Sequence, residues 1–295
     1  MARSPARGVN TVYIGSSEFS LAVLAAAGRH LSPDLVVTRA PAAKGRGRRL
    51  APTPLADGAR ELGLTVIEPA RLADAAEQIA AAAPDLLVLC AYGGMVREPL
   101  LSRYEILNVH PSLLPRWRGA APIERAILAG DLKTGVSLMR LVAELDAGPV
   151  CASAAVAIEP DDDFAALSAR LAALAGELLT SALEHPRRYV EQDGAGVTYA
   201  EKLTAADREL DGGRPAQELE RRVRALHPHV GARLPDGLGV LSATLANRPT
   251  AAGILAADGG RLYYGASPGT LELLRVQPPG KRAMDAAAYL RGHAL

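Results

Sequence analysis

The run DLLVLCA, Asp85–Ala91, constrains the fold of this chain more than any other stretch. An uninterrupted apolar run of this length is typical of a strand that is buried on both faces, as the strands of a parallel sheet are. Parallel strands are joined by crossover connections, usually helices, which cover both faces of the sheet. The run therefore predicts that strands and helices alternate on either side of it.

The first two-thirds of the chain shows that alternation. Strands are predicted at residues 12–14, 35–38, 65–67, 85–91 and 106–110, and helices at about 18–29, 53–62 and 73–83. Two further strands, 135–142 and 150–158, are expected to pair, and the acids at 161–163 should cap a helix that reaches about residue 183. The pattern predicts the α/β class, with a doubly wound, Rossmann-like and mostly parallel sheet.

The character of the sequence changes near residue 187. A stretch rich in Gly, Asp and Gln follows, and beyond a helix at about 216–226 come short apolar runs that Gly and Pro interrupt: GLGVLSATLA, TAAGILAAD, GRLYYGA and TLELLRVQP. Such runs are typical of the strands of a small barrel. We therefore predict an α/β domain at 1–187, a linker at 188–206 and a small β-barrel domain at 207–295.

Composition places the chain among globular proteins and narrows the kinds of site it can carry. Apolar residues make up 49% and charged residues 22% of its 295 residues, which excludes a disordered chain. Cys90 and Cys151, the two cysteines, each lie in an apolar run, which argues against a disulfide framework or a zinc site. No signal core or run of about 20 apolar residues is present. These features predict a cytoplasmic protein without membrane or metal, and a monomer is expected.

The stretch LNVHPSLLP, residues 107–115, holds the candidate catalytic groups. Side chains alternate along a strand, so Asn108 and His110 should share one face, at the carboxyl end where open parallel sheets bind ligands. An amide can donate to a developing oxyanion, and an imidazole can donate or accept a proton. Asp146, in the segment LDAGP, is a candidate partner that would orient His110 and stabilise its charged form. No local pattern requires Asp146 to lie near His110.

A wider pattern resembles a known family. The segment NVHPSLLPRWRGAAPIERAIL, followed by GD, TGVSLM and LDAGP, resembles the core of the N10-formyltetrahydrofolate-dependent formyltransferases, and its WRGAAPI part resembles those that act on methionyl-tRNA. Supporting segments cover nearly the whole chain: GSSEFS, KGRGRRLAPTPL, AYGGMV, VTYAEKL, RRVRAL and PPGKRAM. The glycine turn GSSEFS lacks the spacing of a dinucleotide-binding loop.

The resemblance implies a reaction and a set of roles. A formyl group would pass from 10-formyltetrahydrofolate to the α-amino group of methionine on initiator tRNA, with no metal. The substrate amine would be the nucleophile, which explains why the chain shows no nucleophile of its own. Asn108 and His110 would donate to the oxyanion, and His110 with Asp146 would help to move the amine proton to the departing folate nitrogen.

The resemblance implies that the domain at 1–187 is catalytic and that the domain at 207–295 is an OB-like β-barrel that supports tRNA binding. It also implies two binding surfaces. Ser112, Leu113, Leu114 and Pro115 would line the folate pocket, and the backbone of Ala91, Tyr92 and Gly93 would help to hold the pterin. A cis bond is implied at Leu114–Pro115. The residues expected to contact tRNA are Lys44, Arg46, Arg48, Arg49, Arg221, Arg222, Arg224, Lys281 and Arg282, because Lys and Arg supply the salt-dependent part of RNA affinity. A solvated loop for KGRGRR, and a solvated face for the arginines of the later helix, are the alternatives.

The chain departs from the family pattern at three places. The family commonly has a Pro-Asp-basic-Pro element after the second strand, and here Ala42 stands where the basic residue would engage the acceptor stem. A P-x-P-G-A turn becomes HPHVGA at 227–232, and the usual aromatic residue is absent near Leu210. The sequence therefore does not indicate which residue selects the acceptor stem.

Three other functions remain open from the sequence. The same folate chemistry could act on another amine, such as an amino-sugar nucleotide or glycinamide ribonucleotide, although YAEKL and the basic segments argue against it. A formyltetrahydrofolate hydrolase would use water, and such domains lack the WRGAAP context. A non-catalytic RNA-binding protein would not need Asn108, His110 and Asp146 together.

Overall fold

The computed structural model describes residues 9–44 and 49–293. Its contacts divide the chain into two compact units. The first comprises Met1–Ala120, Gly135–Val156 and Ala169–Tyr199. The second comprises Ala121–Thr134, Ala157–Ser168 and Ala200–Leu295. Residues 188–199, in the segment predicted to be a linker, thus belong to the first unit.

Strands and helices alternate in the first unit, and strands dominate the second. The strands are β1 (Thr11–Gly15), β2 (Leu35–Val37), β3 (Ala42–Lys44), β4 (Arg49–Ala51), β5 (Val66–Ile67), β6 (Leu86–Cys90), β7 (Ile106–His110), β8 (Arg118–Gly119), β9 (Lys133–Arg140), β10 (Val150–Ala157), β11 (Tyr199–Ala200), β12 (Ala232–Arg233), β13 (Gly239–Ala246), β14 (Leu255–Asp258), β15 (Arg261–Gly265), β16 (Thr270–Gln277) and β17 (Met284–Asp285). The α-helices are α1 (Glu18–Ala27), α2 (Pro54–Glu61), α3 (Ala76–Ala81), α4 (Leu100–Arg103), α5 (Pro122–Ala129), α6 (Phe164–Glu184), α7 (Ala216–Leu226) and α8 (Ala286–Gly292). Short 3-10 helices occupy Gly28–His30, Leu72–Ala75 and Ala206–Arg208.

The main sheet of the described chain has seven strands in the order β10-β9-β7-β6-β1-β2-β5. β1 pairs in parallel with β2 and β6, β2 with β5, and β6 with β7, whereas β9 runs antiparallel to β7. β6 is buried along its whole length, as its apolar run requires. The prediction of a doubly wound, mostly parallel sheet is confirmed.

Local signals explain where the helices of the first unit begin. The side chain of Ser17 accepts a hydrogen bond from the N–H of Ser20, and the Ser20 side chain in turn accepts from the N–H of Ser17, which forms a capping box at α1. Thr53 caps α2, whose first residue is Pro54. Of the basic segment KGRGRR, Lys44 is the last residue of β3 and Arg49 the first of β4, and these two strands pair antiparallel; residues 45–48 lie outside the described residues.

The long helix α6 begins where its acids predicted. The Asp163 carboxylate accepts a hydrogen bond from the N–H of Ala166, so it satisfies one of the free donors of the first turn. Along the helix, Leu167, Leu171, Ala175 and Leu179 recur every four residues and are fully buried, as one face of a core helix should be. By length and mean hydropathy α6 also meets the criteria for a membrane span, which core helices of soluble proteins meet as well.

The second unit is built on an antiparallel sheet. Among its described residues the strand order is β12-β13-β16-β15-β14, with β17 paired to β16. Leu219, Val223 and Leu226 of α7 are buried in one cluster with Leu262 and Leu271 of the sheet. This arrangement bears out the second part of the fold prediction, a small barrel-like β-domain after the α/β domain.

The HPHVGA segment, which replaces the usual proline turn, is held by hydrogen bonds of its two histidines within the second unit. Nδ1 of His227 lies 3.0 Å from the carboxylate of Asp163, and Nε2 of His229 lies 2.9 Å from that of Glu124. The ring of His229 also stacks on Phe164, with the ring centroids 3.8 Å apart. The two histidines therefore fix the end of α7 by contacts that a proline turn does not make.

Candidate active site

The candidate site lies at the carboxyl edge of the parallel sheet. Gly15 at the end of β1 is in register with Cys90 of β6, and Cys90 is in register with Val109 of β7. The three strands therefore end at one level, where ligands bind in open α/β sheets. The Ala91 turn follows β6, and the Pro-rich turn follows His110, the last residue of β7, so both turns lie at this edge.

Asp146 lies against both candidate catalytic residues of β7. Nδ2 of Asn108 donates to Oδ1 of Asp146 over 3.4 Å, and Nδ1 of His110 lies 3.7 Å from Oδ2. Both β7 side chains reach one carboxylate, so they share a face of the strand. Asn108 is 7% exposed and His110 4% exposed, which places the three groups in a site largely shielded from water. The structure thus brings together the three residues predicted to be catalytic.

The hydrogen bonds of His110 define which ring nitrogen can accept a proton. Nε2 lies 2.8 Å from the carbonyl oxygen of Trp117, and a carbonyl can only accept, so Nε2 carries a hydrogen. In the neutral ring the lone pair is then on Nδ1, the nitrogen that faces Asp146. A proton taken up at Nδ1 would lie next to a carboxylate, which stabilises it.

The turn Ser112–Pro115 is fixed from within the first unit. The Ser112 hydroxyl donates to the carbonyl of Arg116 over 2.7 Å, the Ser137 hydroxyl donates to the carbonyl of Ser112, and the N–H of Leu114 donates to the Ser137 oxygen. The Leu114–Pro115 bond is cis. Ser112 is fully buried and supports the turn, whereas Leu113, Leu114 and Pro115 are partly exposed. A direct contact of Ser112 with folate stays a prediction.

The Ala91–Gly93 turn presents backbone at the same edge. Ala91 and Gly93 are exposed and have positive φ values of 44° and 70°, and Tyr92 between them is 6% exposed. The Ser16 hydroxyl donates to the carbonyls of Ala91 and Tyr92, which holds the turn. Burial raises the pKa of the Tyr92 hydroxyl, and the cation of Arg39 opposes this shift. Exposed backbone at this edge, together with the apolar residues of the Pro-rich turn, suits a flat heterocycle.

Two residues of the segment predicted to be a linker belong to the site. Thr198 accepts a hydrogen bond from the N–H of Trp117 through its hydroxyl, and one from the N–H of Arg118 through its carbonyl, both at 2.9 Å. Gln192 donates to the carbonyls of Asp146 and Gly148. The N–H of Gly119 also donates to Oδ2 of Asp146 over 2.8 Å. The sequence analysis missed Gln192, which no periodicity or motif marks, and it quoted Thr198 and Gly119 only as parts of the segments VTYAEKL and WRGAAPI, without a role in the site.

The arginines of α7 that were predicted to bind tRNA have partners within the second unit. Arg221 donates to the carbonyl of Leu128, Arg222 to those of Ala206 and Glu209, and Arg224 to that of Asp162. Arg224 also pairs with Glu220 at 2.5 Å. These contacts connect α7 to α5, to the 3-10 helix at Ala206–Arg208 and to the residues just before α6, and a role of the three arginines in binding tRNA stays a prediction.

The other predicted tRNA contacts lie in two places. Lys281 and Arg282 are exposed in the turn between β16 and β17. Lys44 ends β3 and Arg49 begins β4, and Arg46 and Arg48 lie outside the described residues. Ala42, the departure noted above, is exposed on β3 and pairs with Ala51. In the described ranges, no cluster of three or more His, Cys, Asp or Glu side chains is arranged to hold a metal.

Comparison with protein families matches both parts of the chain. The family model described as "Formyl transferase" matches residues 11–183, and the one described as "Formyl transferase, C-terminal domain" matches residues 202–294. Together they cover the candidate site of the first unit and the antiparallel sheet of the second.

Curated relatives match over nearly the whole length. A methionyl-tRNA formyltransferase of Halorhodospira halophila is 45% identical, with 96% of each chain covered. One of Methylococcus capsulatus is 42% identical over 96% of this chain and 97% of its own.

Solved structures share the fold at lower identity. The N-formyltransferase from Helicobacter canadensis, in complex with folinic acid and dTDP-3-aminofucose, aligns with a TM-score of 0.68 at 15% identity over 90% of this chain and 98% of its own. HypX from Aquifex aeolicus aligns with a TM-score of 0.67 at 16% identity over 96% of this chain. This chain spans 48% of the length of HypX, and the likeness is one of fold.

Proposed function

The chain belongs to the formyl transferase family, and on that premise we propose that it transfers the formyl group of 10-formyltetrahydrofolate to the α-amino group of methionyl-initiator tRNA. The observation that carries the proposal is the match at 45% identity to a methionyl-tRNA formyltransferase along both units, including the C-terminal domain. The product would be formylmethionyl-tRNA, which serves translation initiation. The 10-formyltetrahydrofolate co-substrate supplies the formyl carbon.

The reaction needs positioning, oxyanion stabilisation and proton transfer, and no protein nucleophile. An α-amino group has an ordinary pKa of about 7.7–8.0, so a useful fraction is unprotonated near neutral pH. The amine nitrogen forms a bond to the formyl carbon, and the bond from that carbon to N10 of the folate then breaks. The amine gives up one proton and the folate nitrogen gains one, so the site must accept a proton and return it.

Asn108 and His110 are proposed to act at the formyl centre. The amide of Asn108 has two N–H donors, and one of them is directed at Asp146, which leaves the second for the oxyanion. Loss of one such donor typically costs about 10²–10³-fold in rate. Nδ1 of His110 accepts the amine proton, and the adjacent carboxylate of Asp146 stabilises the charged ring. General acid–base catalysis of this kind contributes about 10²–10⁴-fold.

The folate ring is proposed to lie against the partly exposed Leu113, Leu114 and Pro115 and the exposed backbone of Ala91 and Gly93. The structural support is that both turns are held rigidly, one by Ser137 and Ser112 and the other by Ser16. Rigid turns place the formyl carbon at one position relative to β7, which is what an effectively unimolecular reaction requires.

The tRNA is proposed to use both units. Lys281 and Arg282 are exposed and have the charge that phosphate contacts need. Lys44 and Arg49 belong to the paired strands β3 and β4, and Ala42 of β3 stands where the family has a basic side chain. We further propose the division of the chain into a domain at 1–187, a linker at 188–206 and a domain at 207–295, in which residues 188–199 of the linker pack with the first unit. Action in the cytoplasm, no membrane association and a monomeric state are also proposed.

The test is a transfer assay with the purified chain, 10-formyltetrahydrofolate and methionyl-tRNA. Formylation of the initiator species in preference to the elongator species is expected. Equal formylation of both would reject the proposed specificity. The same assay with an amino-sugar nucleotide or glycinamide ribonucleotide decides whether the folate chemistry serves another amine.

A further inference from the structure

Gln192 bridges the turn that carries Asp146 and the strand β8. The same strand binds the carboxylate of Asp146 through the N–H of Gly119. Nε2 of Gln192 donates to the carbonyl oxygens of Asp146 and Gly148, both at 2.8 Å. Its Oε1 accepts from Nε and Nη2 of Arg118, at 3.1 Å and 2.9 Å. The side chain therefore makes four hydrogen bonds, all within the first unit.

The chemistry of these four bonds allows only one orientation of the amide. Carbonyl oxygens accept and a guanidinium donates, so the nitrogen of Gln192 must face Asp146 and Gly148, and its oxygen must face Arg118. A glutamate of the same shape can keep the bonds to Arg118, but it has no N–H for the two carbonyls. An asparagine is one methylene shorter.

The turn that Gln192 holds has an uncommon backbone. Asp146 has a φ of 45°, in the left-handed region that few non-glycine residues adopt. Two residues later, a Cβ added to Gly148 would meet the carbonyl oxygen of Arg140 at 1.9 Å, so the turn lies directly against β9. A backbone in this region persists where its surroundings hold it in place, and the two bonds from Gln192 hold the carbonyl of Asp146 itself and that of Gly148.

The bonds form a closed ring through neighbouring residues. Arg118, whose side chain is 8% exposed, is bonded to Gln192 and lies 3.5 Å from Glu144 at the start of the turn. The next residue, Gly119, donates its N–H to Oδ2 of Asp146. Gln192 thus ties the main chain of Asp146 to the same strand, β8, that binds its carboxylate. Movement of the turn relative to β8 would break bonds at both ends.

We propose that Gln192 is a positioning residue that sets the carboxylate of Asp146 against His110 and Asn108. The proposal rests on the proposed function, because it treats Asp146 as part of the formyl-transfer site. Loss of the two N–H bonds lets the turn relax, and the distance of 3.7 Å between Asp146 and Nδ1 of His110 is no longer enforced. A shift of about 1 Å at a catalytic group can cost about 10²-fold in rate.

The test compares Gln192→Glu with Gln192→Ala, and uses Glu191→Gln as the matched control because Glu191 is exposed and adjacent. Steady-state kinetics with methionyl-tRNA and 10-formyltetrahydrofolate give kcat and both KM values. We expect both Gln192 variants to lower kcat by about 10- to 100-fold with KM values near wild type. Gln192→Glu should do so while its thermal unfolding temperature stays near wild type, since the contact with Arg118 is retained.

A double-mutant cycle separates positioning from general destabilisation. In an Asp146→Asn background the carboxylate is already absent, so Gln192→Glu should cause much less further loss of kcat than it does in the wild type. An equal loss in both backgrounds would overturn the proposal, as would a Gln192→Glu enzyme with wild-type kcat.

A structural readout keeps this inference separate from the proposed function. If the wild-type enzyme does not formylate methionyl-tRNA, the proposed function fails whatever Gln192 does. A crystal structure of Gln192→Glu then decides on positioning. The turn is expected to move away from β8, and an Asp146 carboxylate that kept its 2.8 Å bond to the N–H of Gly119 and its distance to His110 would reject the proposal.

Discussion

Replacing Asp146 by asparagine removes one negative charge from the site and keeps the shape of the side chain. The remaining amide oxygen can still accept the hydrogen bond of the Gly119 N–H, which is 2.8 Å long in the wild type. The new NH2 group would face Asn108, whose own amide can rotate to present its oxygen. The fold should therefore be retained, and the main change is the loss of charge next to His110.

The size of the effect follows from the distance between the two groups. Oδ2 of Asp146 lies 3.7 Å from Nδ1 of His110, and their side chains are only 12% and 5% exposed. At an effective dielectric constant of about 20, two unit charges about 4 Å apart attract each other by about 4 kcal/mol. About 1.4 kcal/mol changes a rate tenfold, so removal of the charge should lower kcat by about 10²–10³-fold.

A single-turnover assay with methionyl-tRNA measures the rate of formyl transfer itself, without a contribution from product release. Asp57→Asn is the control, because this carboxylate is exposed on α2 and its pairing distance to Arg60 is 4.0 Å. The control should retain wild-type rates, and both variants should unfold at temperatures near wild type. An Asp146→Asn rate within about tenfold of wild type would refute the argument that the carboxylate stabilises a charged His110.

Three further predictions concern other parts of the chain. Gly148→Ala should destabilise the fold by about 1–3 kcal/mol in urea unfolding, since its Cβ would meet the Arg140 carbonyl, and an unchanged midpoint would contradict this crowding. Lys281→Ala and Arg282→Ala should each weaken tRNA binding and reduce the slope of log affinity against log salt by about 1, whereas an unchanged slope would remove that residue from the phosphate contacts. Burial raises the pKa of the Cys90 thiol from 9.0 to about 12, and a hydrogen bond with Tyr13 opposes this shift, so native protein should resist alkylation at Cys90 at pH 8. Because the folded state holds this proton more tightly, the associated stability is fully present below pH 9.0 and is lost toward pH 12; in a Cys90→Ala variant that part of the pH dependence of unfolding should vanish, and its persistence would assign it to another group.

Elements with a strong local pattern could be predicted from the sequence. β6 follows from its apolar run and α7 from its amphipathic spacing, and α7 has the predicted bounds, Ala216–Leu226. The shared face of Asn108 and His110 follows from the two-residue period of a strand. These features depend on neighbours in the sequence, which is the information that a single sequence carries most directly.

The contacts that complete the site depend on residues far apart in the chain. Gln192 bonds to a carbonyl 46 residues away and Thr198 to an N–H 81 residues away, and both lie in a stretch without apolar periodicity. The prediction that this stretch is a linker depends on its composition. The fold, and not the local sequence, brings the Asp146 carboxylate to 3.7 Å from His110. Only the family resemblance therefore supports this pairing before the structure is known.

The most direct test of the central claim is formyl transfer by wild-type enzyme and His110→Ala in one assay, with labelled 10-formyltetrahydrofolate. The wild type should place the label on the amine of initiator methionyl-tRNA, and His110→Ala should be slower by about 10²–10³-fold while unfolding at a similar temperature. Label released as formate, or transferred to an amino-sugar nucleotide or glycinamide ribonucleotide in preference to the tRNA, would contradict the account. So would a His110→Ala enzyme with near-normal turnover.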